Sequence, residues 1–386
     1  MGAARPNRDP ETPGRATPVE IFFDVVFVLT VTQLVRLLDE ELDGTNVGHT
    51  VLIFGLLWYL YTGYVWLTNH VPPHGPARKL LLFGGMAGYL LTATAIPDAL
   101  DGTGLLFGLG YLLVVAVHLT LFHRSSARAG VRRLAPYNLG AAVLILTAGL
   151  LDGPAVPALW GAAVFTQTVL PYLLPGHSWL GAAASFHITP AHFVERHGLL
   201  VIIALGEVVV TIGMGTPLTQ LGPGTAAALV MALALPAALW WTYFTDAPAA
   251  ETSLDHAVPA TRSRYASRVY ILDHFLLLLG VIATATGMHA VVAHPTEPTG
   301  WPKAFALCGG VALFLLAVAD ARRVLRTGPV RGRLVTAALV LASAPLGALL
   351  DAALLLAALI AILTGMRIRD AGLTRRALRL VAGRTG

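Results

Sequence analysis

Charged residues are scarce in this sequence. Only 12% of its 386 residues are charged, whereas 56% are hydrophobic, and the mean hydropathy is +0.70. Soluble domains carry about 25% charged residues. The composition excludes an ordinary water-soluble domain and predicts an all-α integral membrane protein, because a helix satisfies its backbone polar groups internally within a bilayer.

Cysteine is nearly absent, and so are the common catalytic motifs. Cys308 stands alone in an apolar run, which excludes an intramolecular disulfide and a cysteine metal cluster. The sequence contains no H-E-x-x-H, no glycine-rich phosphate loop and no G-x-S-x-G. His118 and His123 have the spacing of a metal pair, but no other residues complete a site. We therefore expect no metal and no cofactor, and a protein that is not an enzyme is favoured.

The net charge of +5 would suggest nucleic acid as a partner in a soluble chain. In a membrane protein it instead reflects arginines and lysines kept on the cytoplasmic side, so we expect no nucleic-acid binding. Residues 1–17 are polar and interrupted by proline. They lack the apolar core of a signal peptide and are predicted to be a disordered cytoplasmic N-terminus.

Apolar runs predict twelve membrane-spanning helices. A run of about 20 apolar residues matches the hydrocarbon thickness. The run from Arg333 to Met366 is too long for one crossing, and Pro345 and Asp351 offer a break. The predicted spans are 19–38, 47–69, 78–96, 104–123, 133–151, 156–174, 192–214, 222–245, 266–290, 302–325, 333–348 and 350–366.

The distribution of positive charge supports this map. With the N-terminus inside, all of the 26 lysines and arginines except Arg36, Arg196 and Lys303 fall in inner segments. This predicts a bacterial cytoplasmic membrane protein with both termini cytoplasmic. The tail 367–386 alternates arginines with apolar residues, so we expect a basic amphipathic segment on the anionic inner leaflet.

The twelve spans divide into two similar sets of six. Leu90–Leu100 and Val281–Val291 share a Thr-Ala-Thr motif, and spans one and seven both place a glutamate at the inner end. Because six is even, the sets would form a tandem 6+6 repeat of parallel topology. The predicted units are 18–174 and 192–366, joined by a cytoplasmic linker 175–191.

Two segments resemble a known family. PVEIFFDVVFVLTVTQLVRLL (Pro18 to Leu38) and HFVERHGLLVIIALGEVVVTIG (His192 to Gly213) are similar to the signature segments of the bacterial low temperature requirement A proteins. The resemblance implies a multipass inner-membrane protein and carries no established biochemical activity. The sequence departs from the family pattern at His197, where phenylalanine is expected, and at Val208, where serine is common.

Carboxylates cluster where the first helix of each set begins. Glu20 and Asp24 are four residues apart, so they share one face of span one. Two carboxylates this close repel unless a cation lies between them, and Arg196, at the matching depth of span seven, is the candidate. Glu195 and Arg196 are adjacent and are expected to contact different partners. A purely structural ion pair between the sets is the alternative.

Glu207 lies about 18 Å beyond Glu195 by helical rise, past mid-membrane. A carboxylate at that depth needs a partner, water or a proton. The equivalent depth of span one falls near Thr32 and Gln33. On span nine, Asp273 and His274 are an uncommon pair in a membrane core and could relay protons, although a structural hydrogen bond would also account for the histidine.

Three functions fit these features. The first is a transporter or channel linked to a proton or small cation, with the substrate undefined and a site among Glu20, Asp24, Gln33, Glu195, Arg196, Glu207, Asp273 and His274. The second is an intramembrane enzyme acting on a lipid or isoprenoid, with Asp273 and His274 as acid–base groups. The third is a non-catalytic membrane scaffold or sensor. The sequence favours the first and leaves the oligomeric state open.

Overall fold

The computed structural model describes residues 15–70, 73, 75–123, 128–173, 188–214 and 223–382. Within these ranges every regular element is helical. The predicted N-terminal segment lies outside them up to residue 14, as does most of the predicted linker, and neither prediction is tested.

The first part of the chain forms six helices. They are α1 (Pro18–Glu40), α2 (Gly44–His70), α3 (Pro76–Thr94), α4 (Gly104–His123), α5 (Arg128–Ala148) and α6 (Ala155–Val164). The last continues through a π-helical turn, Phe165–Val169, into Leu170–Leu173.

The second part contains longer and more interrupted helices. They are α7 (Pro190–Met214), α8 (Pro223–Phe244), α9 (Ala247–His256), α10 (Pro259–Ser267), α11 (His274–Ala293), α12 (Gly300–Leu325), α13 (Arg331–Ala342) and α14 (Ala352–Ala382). A π-helical turn, Arg268–Asp273, joins α10 to α11, and another, Leu346–Leu350, follows α13. Asp351 is extended, so the last apolar run breaks where the sequence predicted.

Nine helices in the described ranges are long and apolar enough to cross a membrane. They are Pro18–Glu40, Gly44–His70, Gly104–His123, Pro190–Met214, Leu229–His256, Pro259–Ala293, Gly300–Leu325, Arg331–Leu350 and Ala352–Gly372. Helices also occupy the other three predicted positions, but α3 and α5 do not meet the same measure and α6 is shorter. Large apolar side chains point outward on many helices, as expected where lipid replaces water.

Helices α1 and α7 lie side by side and run in the same direction. Arg196 contacts Asp24 near the start of both helices, and Glu207 contacts Thr32 further along both. Around them, Phe27 of α1 stacks with Tyr61 of α2, and Phe23 and Phe27 both make edge-to-face contacts with Tyr89 of α3. Aromatic packing therefore fixes α1 against the first part of the chain while polar contacts fix it against α7.

Two antiparallel helix pairs cross unusually closely. On α4, a Cβ added at Gly110 would lie 2.5 Å from Oγ1 of Thr92 on α3. On α12, a Cβ added at Gly310 would lie 2.6 Å from Oγ1 of Thr284 on α11. Each threonine hydroxyl donates a 2.7 Å hydrogen bond to a glycine carbonyl of its own helix, Gly88 or Gly280. The two crossings have the same construction.

Candidate functional site

The guanidinium of Arg196 lies between the two carboxylates of α1, as its depth predicted. Its Nη2 donates to Asp24 Oδ1 at 2.8 Å and its Nε to Asp24 Oδ2 at 3.0 Å. Its Nη1 donates to Glu20 Oε1 at 2.8 Å. All three residues are at most 1% exposed. A planar guanidinium can serve two carboxylates in this way because its donors are fixed in a fork.

Helix α2 completes the coordination. Thr68 Oγ1 accepts a 2.8 Å hydrogen bond from Arg196 Nη1, and the Tyr61 hydroxyl donates to Asp24 Oδ1 at 2.8 Å. Glu20 also caps its own helix, because its Oε2 accepts from Thr17 N and Thr17 Oγ1, both at 2.8 Å. Such capping satisfies a backbone donor that the first helical turn leaves free.

His192 of α7 joins the same group through Glu20. The amide of Asn69 is oriented by the backbone of Thr189, which donates to Oδ1 and accepts from Nδ2. Nδ2 of Asn69 therefore donates to Nδ1 of His192 at 2.9 Å. The remaining proton of a neutral imidazole then lies on Nε2, 3.2 Å from Glu20 Oε1.

The Arg196 cluster comprises Glu20, Asp24, Tyr61, Thr68, Asn69, His192 and Arg196. Two carboxylates face one guanidinium, and the hydrogen bonds of His192 fit its neutral form. With both carboxylates ionised, the cluster carries one excess negative charge. An uncompensated charge is costly in a buried site, so the cluster has the electrostatic requirement for a proton or a small cation.

Glu207 forms a separate contact between the same two helices. Its Oε2 accepts a 2.7 Å hydrogen bond from the hydroxyl of Thr32, and the side chain is 8% exposed. The predicted equivalence in depth between Glu207 and Thr32 is thus found as a direct contact. Gln33 does not join it: the half-buried Gln33 receives a weak 3.5 Å contact from Arg36 on its own helix.

Glu195 points away from Arg196, as adjacent helical residues must. Its Oε2 accepts a 3.0 Å hydrogen bond from the backbone N–H of Ala16, just before α1. Glu195 therefore holds the segment that leads into α1, and it takes no part in the Arg196 cluster.

Asp273 and His274 lie in a second polar region, between α8, α11 and α12. The Tyr243 hydroxyl lies 2.9 Å from His274 Nε2, and Nδ1 of the same ring lies 2.9 Å from the Val269 carbonyl. Among the described residues, neither carboxylate oxygen of buried Asp273 has a hydrogen-bond partner, and Arg268 Nε is 3.7 Å away. Both residues line a cavity of about 40 Å³, which is large enough for a water molecule.

His197 follows Arg196 in the sequence, and its ring packs against the second polar region. Its ring lies 5.1 Å from that of His274 and 4.6 Å from that of Tyr270, centroid to centroid. It takes the place at which the family pattern has an aromatic residue. No direct bond is found between the predicted Asp273–His274 pair and the Arg196 cluster.

Sequence reasoning missed four members of the cluster: Tyr61, Thr68, Asn69 and His192. Two of them, Thr68 and Asn69, lie at the C-terminal end of α2, where the sequence reads Trp66-Leu-Thr-Asn-His70, and Tyr61 lies on the same helix. Polar residues at the end of a long apolar helix could have indicated that this end of α2 contributes to a buried polar site. Their partners depend on how α2 packs beside α1, which no sequence period reveals.

Apolar helices of spanning length, an apolar outer surface and a buried ionic cluster define a multipass helical membrane protein. Within that class the sequence comparison is specific: residues 15–368 match bacterial low temperature requirement A protein, so the chain belongs to this family, as the two signature segments predicted. It is also 29% identical over 321 residues to an uncharacterized protein of Rhizobium meliloti (strain 1021), a match covering 80% of this chain and 78% of that protein.

Proposed function

We propose that the chain crosses the membrane twelve times, as two six-helix halves of parallel topology, 18–174 and 192–366. The parallel contact of α1 with α7 supports this. Two helices that cross the membrane in the same direction must be separated by an odd number of crossings, and α2 to α6 supply five. The two glycine crossings support it as well. Gly88, Thr92 and Gly110 in one half correspond to Gly280, Thr284 and Gly310 in the other.

The proposed orientation places both termini in the cytoplasm of a bacterium. It rests on the positive charge of the inner segments. In the same orientation, Arg367 and Arg369 of α14 lie at the inner surface, where they would contact anionic lipid.

The function we propose is that of a transporter or channel for a proton or small cation. The excess negative charge of the Arg196 cluster is the observation that carries this proposal. The cluster joins the first helices of the two proposed halves, so binding or losing a cation there changes the electrostatic energy of the contact between them. Glu207 adds a carboxylate about 16 Å further along α7, giving the α1–α7 contact acidic groups at two depths.

Flux through reconstituted protein tests the proposal. Proteoliposomes would carry an internal pH-sensitive dye, and sodium or potassium gradients would be imposed across them. We expect proton or cation flux above that of empty liposomes. Asp24→Asn and Glu207→Gln should each lower it about tenfold, the effect of about 1.4 kcal/mol in ion binding.

Asp39→Asn is the matched control. It makes the same change from carboxylate to amide in an ion pair at the other end of α1, where Asp39 contacts Lys303 at 2.7 Å and His289 at 2.9 Å. Flux of this variant should equal that of the wild type. Wild-type protein without flux would refute the function, whereas a flux that Asp24→Asn and Glu207→Gln leave unchanged would refute the site.

A further inference from the structure

A large lateral groove lies apart from the Arg196 cluster. It has a volume of about 1330 Å³, larger than the usual 300–1,000 Å³ or so of a small-molecule site. Helix α2 forms its floor, α6 one wall, and α10 with the following π-helical turn and α11 the other. Val47 and Val51 line it and are each 44% exposed, so the groove opens on the outer, lipid-facing surface.

The groove is long and runs along most of the membrane. Its lining on α2 extends from Gly44 to Thr62, about 27 Å by helical rise, against a hydrocarbon thickness of about 30 Å. Helices α2 and α11 are antiparallel, because Trp58 Nε1 donates to the Ile271 carbonyl at 2.7 Å and Phe54 stacks on Phe275. The end near Thr62 is therefore also the end at which Arg268 and Arg264 lie.

The half of the groove distant from these arginines is shaped by glycines that do not serve helix packing. Small residues in membrane helices usually allow a neighbouring helix to approach. A Cβ added at Gly44, Gly48 or Gly161 would instead meet nothing within 4 Å. The absence of side chains at these three positions leaves space in the groove that larger residues would fill.

The other end of the groove is cationic. Thr261, Arg264, Tyr265 and Arg268 line it, spaced so that they share one helical face. Arg268 is engaged by Asp320, with Nη2 2.6 Å from Oδ2. Among the described residues no carboxylate lies within ion-pair distance of Arg264, which is exposed. Guanidinium groups bind phosphate through paired hydrogen bonds.

We propose that this groove binds a long-chain polyprenyl phosphate. The arginines would hold the phosphate near the inner surface, and one chain would follow α2 past Gly55 to Gly48. A phospholipid of the inner leaflet would reach only about half of the groove, because one leaflet contributes about 15 Å of hydrocarbon. Apolar burial alone gives no preference within a bilayer, since lipid tails are as apolar as the groove. The headgroup and the length of the chain therefore determine the selectivity.

Binding to full-length protein in detergent, followed by native mass spectrometry, tests this. The ligands are long-chain polyprenyl phosphate, the corresponding polyprenol, farnesyl phosphate and phosphatidylglycerol. Long-chain polyprenyl phosphate should bind most tightly. Arg264→Gln should weaken it about fivefold, the usual effect of one arginine on an anionic lipid, and Arg331→Gln, an exposed arginine outside the groove, should not.

The Gly48→Leu variant tests binding of the polyprenyl chain independently of binding of the phosphate. It should weaken binding of the long chain but leave farnesyl phosphate, which reaches only the arginine end, unchanged. Gly365→Leu is its control, because that glycine of α14 also has nothing within 4 Å and lies outside the groove. Equal binding of phosphatidylglycerol, or retention of the long chain by Gly48→Leu, would overturn the proposal. The proposal would also be overturned if the protein were a dimer that the Gly48→Leu substitution dissociates without changing the amount of bound lipid.

Discussion

One guanidinium holds the first helices of the two proposed halves together. Arg196 donates to Glu20, Asp24 and Thr68, so its loss would leave two buried carboxylates without a cation. Glu20 is in a different position, because its removal leaves one carboxylate for one guanidinium. The stability of the cluster should therefore depend more on Arg196 than on Glu20.

Neutralising Arg196 should destabilise the protein much more than neutralising Glu20. Arg196→Gln should lower the free energy of unfolding by about 3–5 kcal/mol, as when one partner of a buried ion pair is removed. Glu20→Gln should cost less, because glutamine can still cap α1 and the excess charge disappears. Thermal unfolding in detergent would measure both. Arg323→Gln, whose side chain is 78% exposed, should have little effect, and similar losses for Arg196→Gln and Glu20→Gln would contradict the charge count.

How much of the site the sequence predicts depends on the kind of contact. The spacing of Glu20 and Asp24 and the depth of Arg196 follow from helical rise and period, so their meeting was predictable. The same reasoning placed Glu207 at the level of Thr32. Tyr61 and His192 were missed because lateral packing, not depth, brings them to the carboxylates. The transport role of these residues stays a prediction.

At the scale of helices, the two glycine crossings allow close helix packing in the same way in two different parts of the chain. Gly110 and Gly310 each lie against a threonine and a glycine carbonyl of the neighbouring helix. In a bilayer, close backbone approach replaces the hydrophobic effect as a source of packing energy. The shared Thr-Ala-Thr motif predicted that these helices are related, but it gave no sign of the partner glycine.

Gly310→Ala should destabilise the protein, whereas its neighbour should tolerate the same change. The added methyl group would clash with Thr284, and overpacking of this kind costs about 1–3 kcal/mol. Gly309→Ala is the control, because nothing lies within 4 Å of its added Cβ. Unfolding of the two variants in detergent would show the difference. Equal stabilities would mean that the crossing is looser than described.

For the whole molecule, length and hydropathy together identify nine of the twelve predicted spans within the described ranges; the other three are α3 and α5, which carry charge, and the shorter α6. Helix α3 begins with Arg78 and Lys79, and α5 contains Arg132 and Arg133. The proposed twelve crossings therefore depend on positive-inside reasoning and on the parallel contact of α1 with α7, in addition to hydropathy.

Thiol labelling from outside the cell should distinguish twelve crossings from fewer. On a Cys308→Ser background, the Asp98→Cys and Asp152→Cys variants should react with a membrane-impermeant maleimide, and the Arg323→Cys variant should not react until the cells are opened. The Cys308→Ser chain without a further substitution provides the blank, and the buried Cys308 of the unchanged chain should not react either. If Asp152 and Arg323 label from the same side, the six-helix halves are wrong.

The ionic contact between α1 and α7 also bears on the symmetry of the proposed repeat. If Glu20 is matched with Glu195, then Arg196 corresponds to Ile21 and Asp24 to Leu199. Two identical halves would carry the same residue at each pair of matched positions. The contact could then not have arginine on one helix and isoleucine at the matched position of the other. On the proposed repeat, the Arg196 cluster therefore depends on differences between the two halves. Two copies of either half alone could not form this cluster.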